Sequence, residues 1–343
     1  MKQHLWLSIA AAASALALAA CTSGGTEPPT ESSDGEVETT TTESYEPASV
    51  TYLTSFNTFG RDAYVYVAQE MGFFDDVGLD VTIQPGTGSV DVMKLIASGS
   101  ADFGAADFSA VVVTVANEDL PVTAVAAIHQ RSLAAIIALE SSGIGEPADL
   151  EGRTIGDQPG STNQVIFPTY AEAAGIDAGA VEFVPSAPPA LPQLLASGQV
   201  DAIGQFVVGE PLIGAAAEGA ALTVLPYSDV LPDLYGNVLI TSDETANGDP
   251  ELVQRFTTAL MQGLQYSIDN PAETGTILQQ FQPTQDADVA AAEVEIMGDY
   301  VTGGSVLGNI DPDRVDTVIE IMAPAITADV TGDDVASFDL APQ

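Results

Sequence analysis

Basic residues are the scarcest feature of this 343-residue chain: 7 Lys and Arg stand against 49 Asp and Glu, a formal net charge of −42. So anionic a surface repels DNA, RNA and anionic lipid, which excludes a nucleic-acid partner. There is 1 cysteine, so no internal disulfide and no thiolate metal cluster can form. The 2 histidines, His4 and His129, leave little room for a histidine metal site or a Ser/His/Asp triad. What the chain does have is apolar content, at 46 %. Acidic disordered tails lack that, so most of the chain is globular. At roughly 100–200 residues per domain the length fits two domains.

Residues 1–20 have the layout of a secretory signal peptide: Lys2 and His4 form the n-region, and an apolar run from Leu5 ends in small residues. Leu18-Ala19-Ala20-Cys21 resembles the lipobox of bacterial lipoproteins, which implies cleavage before Cys21 and lipidation of its sulfur. Residues 21–48 then form the lipidated Cys and an acidic tether of Thr, Ser, Glu, Gly and Pro, unable to bury a core.

From Val50 the pattern alternates strands and helices: 50–53, then a helix over 62–71 stopped by Gly72, a strand over 79–83, a helix over 89–98 and a strand at 101–104. This is a βαβαβ order, which predicts a parallel sheet with crossover helices. Leu95-Ile96-Ala97-Ser98-Gly99-Ser100-Ala101-Asp102 recurs as Leu194-Leu195-Ala196-Ser197-Gly198-Gln199-Val200-Asp201, identical at five of eight positions. In each copy a glycine-stopped helix turns into a short strand. Val81–Pro85 and Gly72 have counterparts in Val181–Pro185 and Gly175, in the same order. The expectation is an α/β protein of two related lobes around a cleft, each a mixed, mostly parallel sheet flanked by helices. Residues 49–132 plus 242–343 form the first lobe, 133–241 the second, and two crossing strands the hinge. Helices at 250–270, 271–281, 286–300 and 311–327 are assigned to the first lobe, with Asp249-Pro250 and Asn270-Pro271 as cap plus N1 proline.

Tyr66-Val67-Ala68-Gln69-Glu70-Met71-Gly72-Phe73-Phe74 with Gly78-Leu79-Asp80-Val81, Ser98–Gly104, Asp149–Gly156 and Gly198–Ala202 resemble, in order, motifs of ABC-importer solute-binding proteins. The branch handles nitrate, sulfonates, taurine and the pyrimidine precursor of thiamine. Agreement from Ile128-His129-Gln130 through Pro226-Tyr227 is nearest the pyrimidine-precursor members. The resemblance implies the periplasmic-binding-protein type II fold and a monomeric, non-enzymatic receptor anchored outside the cell. Its implied partners are a small solute, an ABC permease and its ATPase.

The repeat also predicts where ligand binds. Phe56-Asn57-Thr58 leads to the helix at Arg61, its second-lobe counterpart is Asp157 with Ser161-Thr162-Asn163, and Gly86 and Gly88-Ser89 open a third helix. Helix N-termini present free N–H groups and partial positive charge, although Ser, Thr and Asn there are also ordinary caps. Asp107, Gln205-Phe206 and Glu210 sit at the ends of the repeated strands, where the two acids would accept from amino or ring N–H donors. His129-Gln130-Arg131 lies at the crossover. Phe56, Phe59, Tyr64 and Phe206 are candidates to stack on a flat ligand, or else core. Few basic residues are near, which favours a neutral or cationic nitrogen compound over an anion.

An enzyme resembling these proteins, the thiamine-pyrimidine synthase, needs a lysine for pyridoxal phosphate and residues to hold iron. The mature chain has only Lys94, on the first repeat helix, so neither cofactor nor metal is expected. A lipoprotein that presents its solute to a sensor is a further alternative.

Overall fold

The computed structural model describes residues 45–304 and 306–343. The expected signal peptide, Cys21 and the tether through residue 44 lie outside the described residues.

The chain begins with β1 (Ala48–Leu53), β2 (Phe56–Asn57), α1 (Ala63–Glu70), α2 (Phe73–Asp76), β3 (Leu79–Gln84) and β4 (Gly86–Thr87). It continues through α3 (Ser89–Ala97), β5 (Phe103–Asp107), α4 (Phe108–Glu118) and β6 (Val122–Ala127). The next stretch holds β7 (Ala134–Leu139), β8 (Thr154–Asp157), α5 (Thr162–Ala174) and β9 (Glu182–Pro185). Then come α6 (Leu191–Ala196), β10 (Ala202–Phe206), α7 (Glu210–Ala216) and β11 (Leu222–Pro226). The chain returns with β12 (Asn237–Ser242), α8 (Asp243–Gly248), α9 (Pro250–Asp269), α10 (Pro271–Phe281), α11 (Ala287–Val301), α12 (Pro312–Met322) and α13 (Gly332–Val335). No helix among the described residues is long and apolar enough to cross a membrane.

Two five-stranded sheets result, ordered β3-β1-β5-β12-β6 and β9-β8-β10-β7-β11. They are the same arrangement twice. In each, one strand runs antiparallel to its neighbours (β12 and β7), and in each that strand is the first one laid down after the chain has crossed. The repeated octamers occupy equivalent places. Asp102 Oδ2 accepts from Thr51 N at 2.7 Å and Asp201 Oδ2 from Thr154 N at 2.8 Å. Each acid thereby satisfies a strand amide at the point where the glycine-stopped helix enters the sheet.

The inner strands β5, β12 and β7 are buried on both faces, so they read as apolar runs, whereas edge strand β3 alternates buried and exposed residues. Along β7, Ala134, Ile136 and Ala138 belong to one core and Ala135 and Ile137 to the other, as a period of two requires. The two cores each draw residues from both sheets. On one face Phe256 of α9 is sandwiched among Phe103, Phe74 and Tyr52, with centroids 4.1, 5.2 and 5.8 Å away.

Several expected boundaries move. Residues 237–241, assigned to the second lobe, lie in the first sheet, where Asn237–Thr241 pairs with Phe103–Asp107. An all-apolar strand has no local mark of which sheet it joins. Neither crossing is a continuous strand: residues 128–133 and 227–236 are short irregular segments joined to each other, with His129 N donating to Asn237 O, Gly236 N to His129 O and Ser132 N to Leu234 O. The end of the expected tether belongs to the body. Arg255 Nη1 donates to Glu46 O at 3.0 Å and to Val77 O at 3.1 Å, and its guanidinium lies 5.2 Å from the Tyr45 ring. Asp249 caps α9 through Leu252 N, whereas Asn270 makes no side-chain cap and donates back to Tyr266 O instead. The helix expected to reach 327 ends at Met322, where Ala323–Ala325 tightens into a single 3₁₀ turn containing Pro324.

Candidate functional site

The carboxyl ends of β1 and β5 and the two crossings meet in one buried polar group. After β1 the chain turns through Thr54 and Ser55 into β2, which pairs with β4, so two of the predicted ligand loops are joined to each other. Thr54 Oγ1 donates to Asn57 O and accepts from Gly86 N. Gly86 has to be glycine here, because a Cβ would collide with the Thr54 carbonyl. Gly60 is likewise pressed against α11, and its N–H donates to Glu293 Oε2 at 2.6 Å.

Arg61 is the centre of this group and is 1 % exposed. Its Nε lies 3.6 Å from Asp62 Oδ2, an ion pair too long for a hydrogen bond. Its Nη2 donates to Ser55 Oγ at 3.5 Å, and Ser55 Oγ accepts from Asn237 Nδ2 at 2.9 Å. The Phe206 ring, at the end of β10, lies over the guanidinium at 4.1 Å, and Phe59 lies at 5.7 Å. A desolvated cation over an aromatic face gains about 2 kcal/mol, so Arg61 joins the two lobes directly.

The charge of Arg61 is felt by Asp62, Asp107, Glu293 and His129. Burial nevertheless dominates each carboxyl. Asp62 is pushed up to about 6 by burial, against the pull of Arg61. Asp107 is pushed up to about 7 by burial, opposed by its cap bonds from Ala110 N and Ser109 N. Burial raises Glu293 to about 7 as well, despite the Gly60 N–H. Burial lowers His129 to about 3, so its imidazole is neutral at physiological pH.

Facing this is the edge of the second lobe. Ser161 caps α5 through Gln164 N, and its hydroxyl donates to Asp157 Oδ2 at 2.6 Å. Asp157 is raised to about 6 by burial. Asn163 Nδ2 donates to Gln205 O at 3.2 Å, and the Tyr227 hydroxyl donates to Asn163 O at 3.3 Å. Thr162 opens α5 half-buried.

The structure therefore brings Arg61, Asp107, His129 and Phe206 together, with Asp157, Ser161, Asn163 and Gln205 on the facing lobe. Other predicted residues lie elsewhere. Glu210 is exposed on the first turn of α7 and lines a surface depression with Ala292, Glu295 and Ile296 of α11. Gln130 is held by Asn309 O and by Arg314, whose guanidinium donates to its carbonyl and side chain. Arg131 lies over Tyr300 at 4.6 Å and donates to Asp299 O. Thr58 Oγ1 meets the Tyr66 hydroxyl, and Tyr64 pairs with Tyr52 in the core. Asn57 is exposed at a φ of 52°, Phe56 and Gly88 are half-buried in the paired loops, and Ser89 Oγ accepts from Asp107 N.

Asp62, Asn237 and Glu293 were missed. A signal existed for Glu293: the buried stripe of α11 runs Ala290, Glu293, Val294, Met297, Val301, with one acid on an apolar face. Asn237 carried no signal, since its role depends on pairing across 182 residues with Ser55.

A profile of the family described as NMT1/THI5 like matches residues 61–274. The chain belongs to this family. Among NMT1/THI5-like relatives, the formylaminopyrimidine-binding protein of Halalkalibacterium halodurans is 29 % identical over 216 residues, 63 % of this chain and 65 % of that one. The match thus spans just under two thirds of that relative's length. The 4-amino-5-hydroxymethyl-2-methylpyrimidine phosphate synthase of Legionella pneumophila is 28 % identical over 246 residues, 68 % of this chain and 74 % of that one. The periplasmic aliphatic sulphonate binding protein SsuA of Escherichia coli superposes with a TM-score of 0.70 at 13 % identity, over 85 % of this chain and 92 % of that one. The fold is the periplasmic-binding-protein type II fold.

Lys94 is on the exposed face of α3, paired with Glu118 at 3.0 Å. Among the described residues no group of three His, Cys, Asp or Glu is placed to hold a metal ion.

Proposed function

We propose that this chain is the extracytoplasmic solute-binding receptor of an ABC importer. It captures a small nitrogen heterocycle, of the kind that supplies the thiamine pyrimidine, between its lobes and delivers it to a permease without chemical change. The observation that carries the solute class is the set of buried acids near Arg61: Asp62 lies 3.6 Å from its guanidinium, Asp107 and Glu293 feel its charge, and Phe206 already covers it. Such acids accept from amino or ring N–H donors and oppose a second negative charge. The formylaminopyrimidine-binding relative supports the same class. The receptor role also takes in membrane attachment through Cys21 and the acidic tether, with ligand favouring closure of the lobes.

One observation favours a second reading, an anionic solute such as a sulfonate or nitrate: Arg61 Nε has no hydrogen-bond partner. Thermal-shift and calorimetric titration of the full chain with aminopyrimidines, taurine, alkanesulfonates and nitrate separates the two. Stabilisation by aminopyrimidines supports the proposal, and stabilisation by the anions alone sinks it. Cys21→Ser should abolish incorporation of radioactive palmitate, and retained label would refute the anchor.

A further inference from the structure

His129 and Asn163 each carry a buried polar atom that the fold leaves without a partner, and in each case the rest of the side chain says which kind of atom it is. His129 is fully buried, and its Nδ1 accepts from Asn237 N at 3.2 Å. An imidazole nitrogen that accepts carries no proton, so in the neutral ring the proton is on Nε2. His129 Nε2, with no partner among the described residues, is therefore a donor. Burial, which holds the ring neutral, agrees with this.

Asn163 is 3 % exposed, and its Nδ2 donates to Gln205 O. That bond orients the amide, so the unpartnered atom, Oδ1, is an acceptor. Gln205 is the neighbour of Phe206, whose ring covers Arg61, and Arg61 is joined to His129 through Ser55, which accepts from Arg61 Nη2 and Asn237 Nδ2, and Asn237, whose N–H donates to His129. This unpaired donor comes from the first crossing and this unpaired acceptor from the second lobe. Leaving either unpaired in the interior is costly.

We propose that the solute pairs with both atoms, offering an acceptor to His129 Nε2–H and an N–H donor to Asn163 Oδ1. This rests on the receptor reading above and narrows it to solutes with both groups, such as an amino-substituted nitrogen heterocycle or an amide. Nitrate and alkanesulfonates have acceptors only and leave Asn163 unpaired.

Long-range ¹⁵N–¹H spectra of the full chain test the tautomer, because His4 and His129 are its only histidines and His4→Gln assigns the signals. The expected result is an Nε2–H form that does not titrate between about pH 5 and 8, with its proton moved downfield by 4-aminopyrimidine. Calorimetry then compares 4-aminopyrimidine with pyrimidine, which lacks the donor, and with methanesulfonate. His129→Phe and Asn163→Leu should each weaken 4-aminopyrimidine binding about tenfold or more. An Nδ1–H tautomer, or affinities within twofold of the parent in both variants, overturns the inference while 4-aminopyrimidine binding leaves the solute class standing. Binding of methanesulfonate in place of 4-aminopyrimidine overturns the solute class itself. The tautomer measurement needs no substitution at His129 or Asn163, so it decides even if either of those variants fails to fold.

Discussion

At the carboxyl edge of its sheet the first lobe gathers Arg61, Asp62, Asp107 and Glu293 in a buried charged group, whereas the second offers Asp157, Ser161, Asn163 and one aromatic, Phe206. The strand order is the same in both, so the difference comes from what covers each sheet. Helices α9, α10 and α11 pack on the first lobe, and α11 brings Glu293 against Gly60. In the second sheet both edge strands, β9 and β11, are only partly buried, while in the first β6 is buried throughout and β3 alternates buried and exposed positions. One architecture thus yields a half rich in buried acids around Arg61 and a half that meets it through Phe206.

The largest expected effect tests that contrast in packing. Phe256→Ala opens the aromatic sandwich of the first lobe and should cost about 3–5 kcal/mol in denaturant unfolding. Phe183→Ala, half-buried and in edge contact with Phe167 at 5.0 Å, should cost about 1–2 kcal/mol. Equal losses would mean that the lobes are equally well packed.

The next effect concerns charge. A carboxyl whose folded pKa exceeds its unfolded value binds its proton more tightly when folded, so stability rises as pH falls. For Asp107 and Glu293, both raised to about 7, the gain develops between about pH 7 and about 4, at no more than about 1.4 kcal/mol per pH unit for each group. Asp62 and Asp157 add to it below about 6. His129, lowered to about 3, works the other way as pH falls below about 6.5. Four groups oppose one, so the ligand-free chain should melt higher at pH 5 than at pH 8. Asp107→Asn should flatten the slope more than Asp157→Asn, and the reverse order would move the charged centre to the second lobe.

Ser161→Ala removes the α5 cap and should cost about 1 kcal/mol by denaturant titration. A loss well above that would show that the Ser161–Asp157 bond supports more than the helix end. The smallest expected effect per residue is that of salt. At a net charge of −42 screening should raise the melting temperature by a few degrees between low and molar salt. An unchanged or lower value would remove self-repulsion as a factor.

The degree to which the fold was legible follows from how local each signal is. The glycine-stopped helices and the matched octamers lie within a dozen residues of chain, and they mark both lobes and the equivalent roles of Asp102 and Asp201. The sheet to which β12 belongs was not legible, since its apolar run fits either one. At the site, Asp107 and Ser161 stand out because strand end and helix start adjoin. Gln130 and Glu210 look similar in the chain, but Arg314 holds the first and the second faces solvent.

Composition and repeat by themselves determined an anionic chain and two related α/β lobes. The tertiary structure decided which few of the 49 acids lose their water. Gly60 meets Glu293 across 233 residues and Ser55 meets Asn237 across 182, and burial of this kind is a property of contacts between distant segments. An acid's type is written in the chain, but its proton affinity is set by the neighbours that folding brings to it.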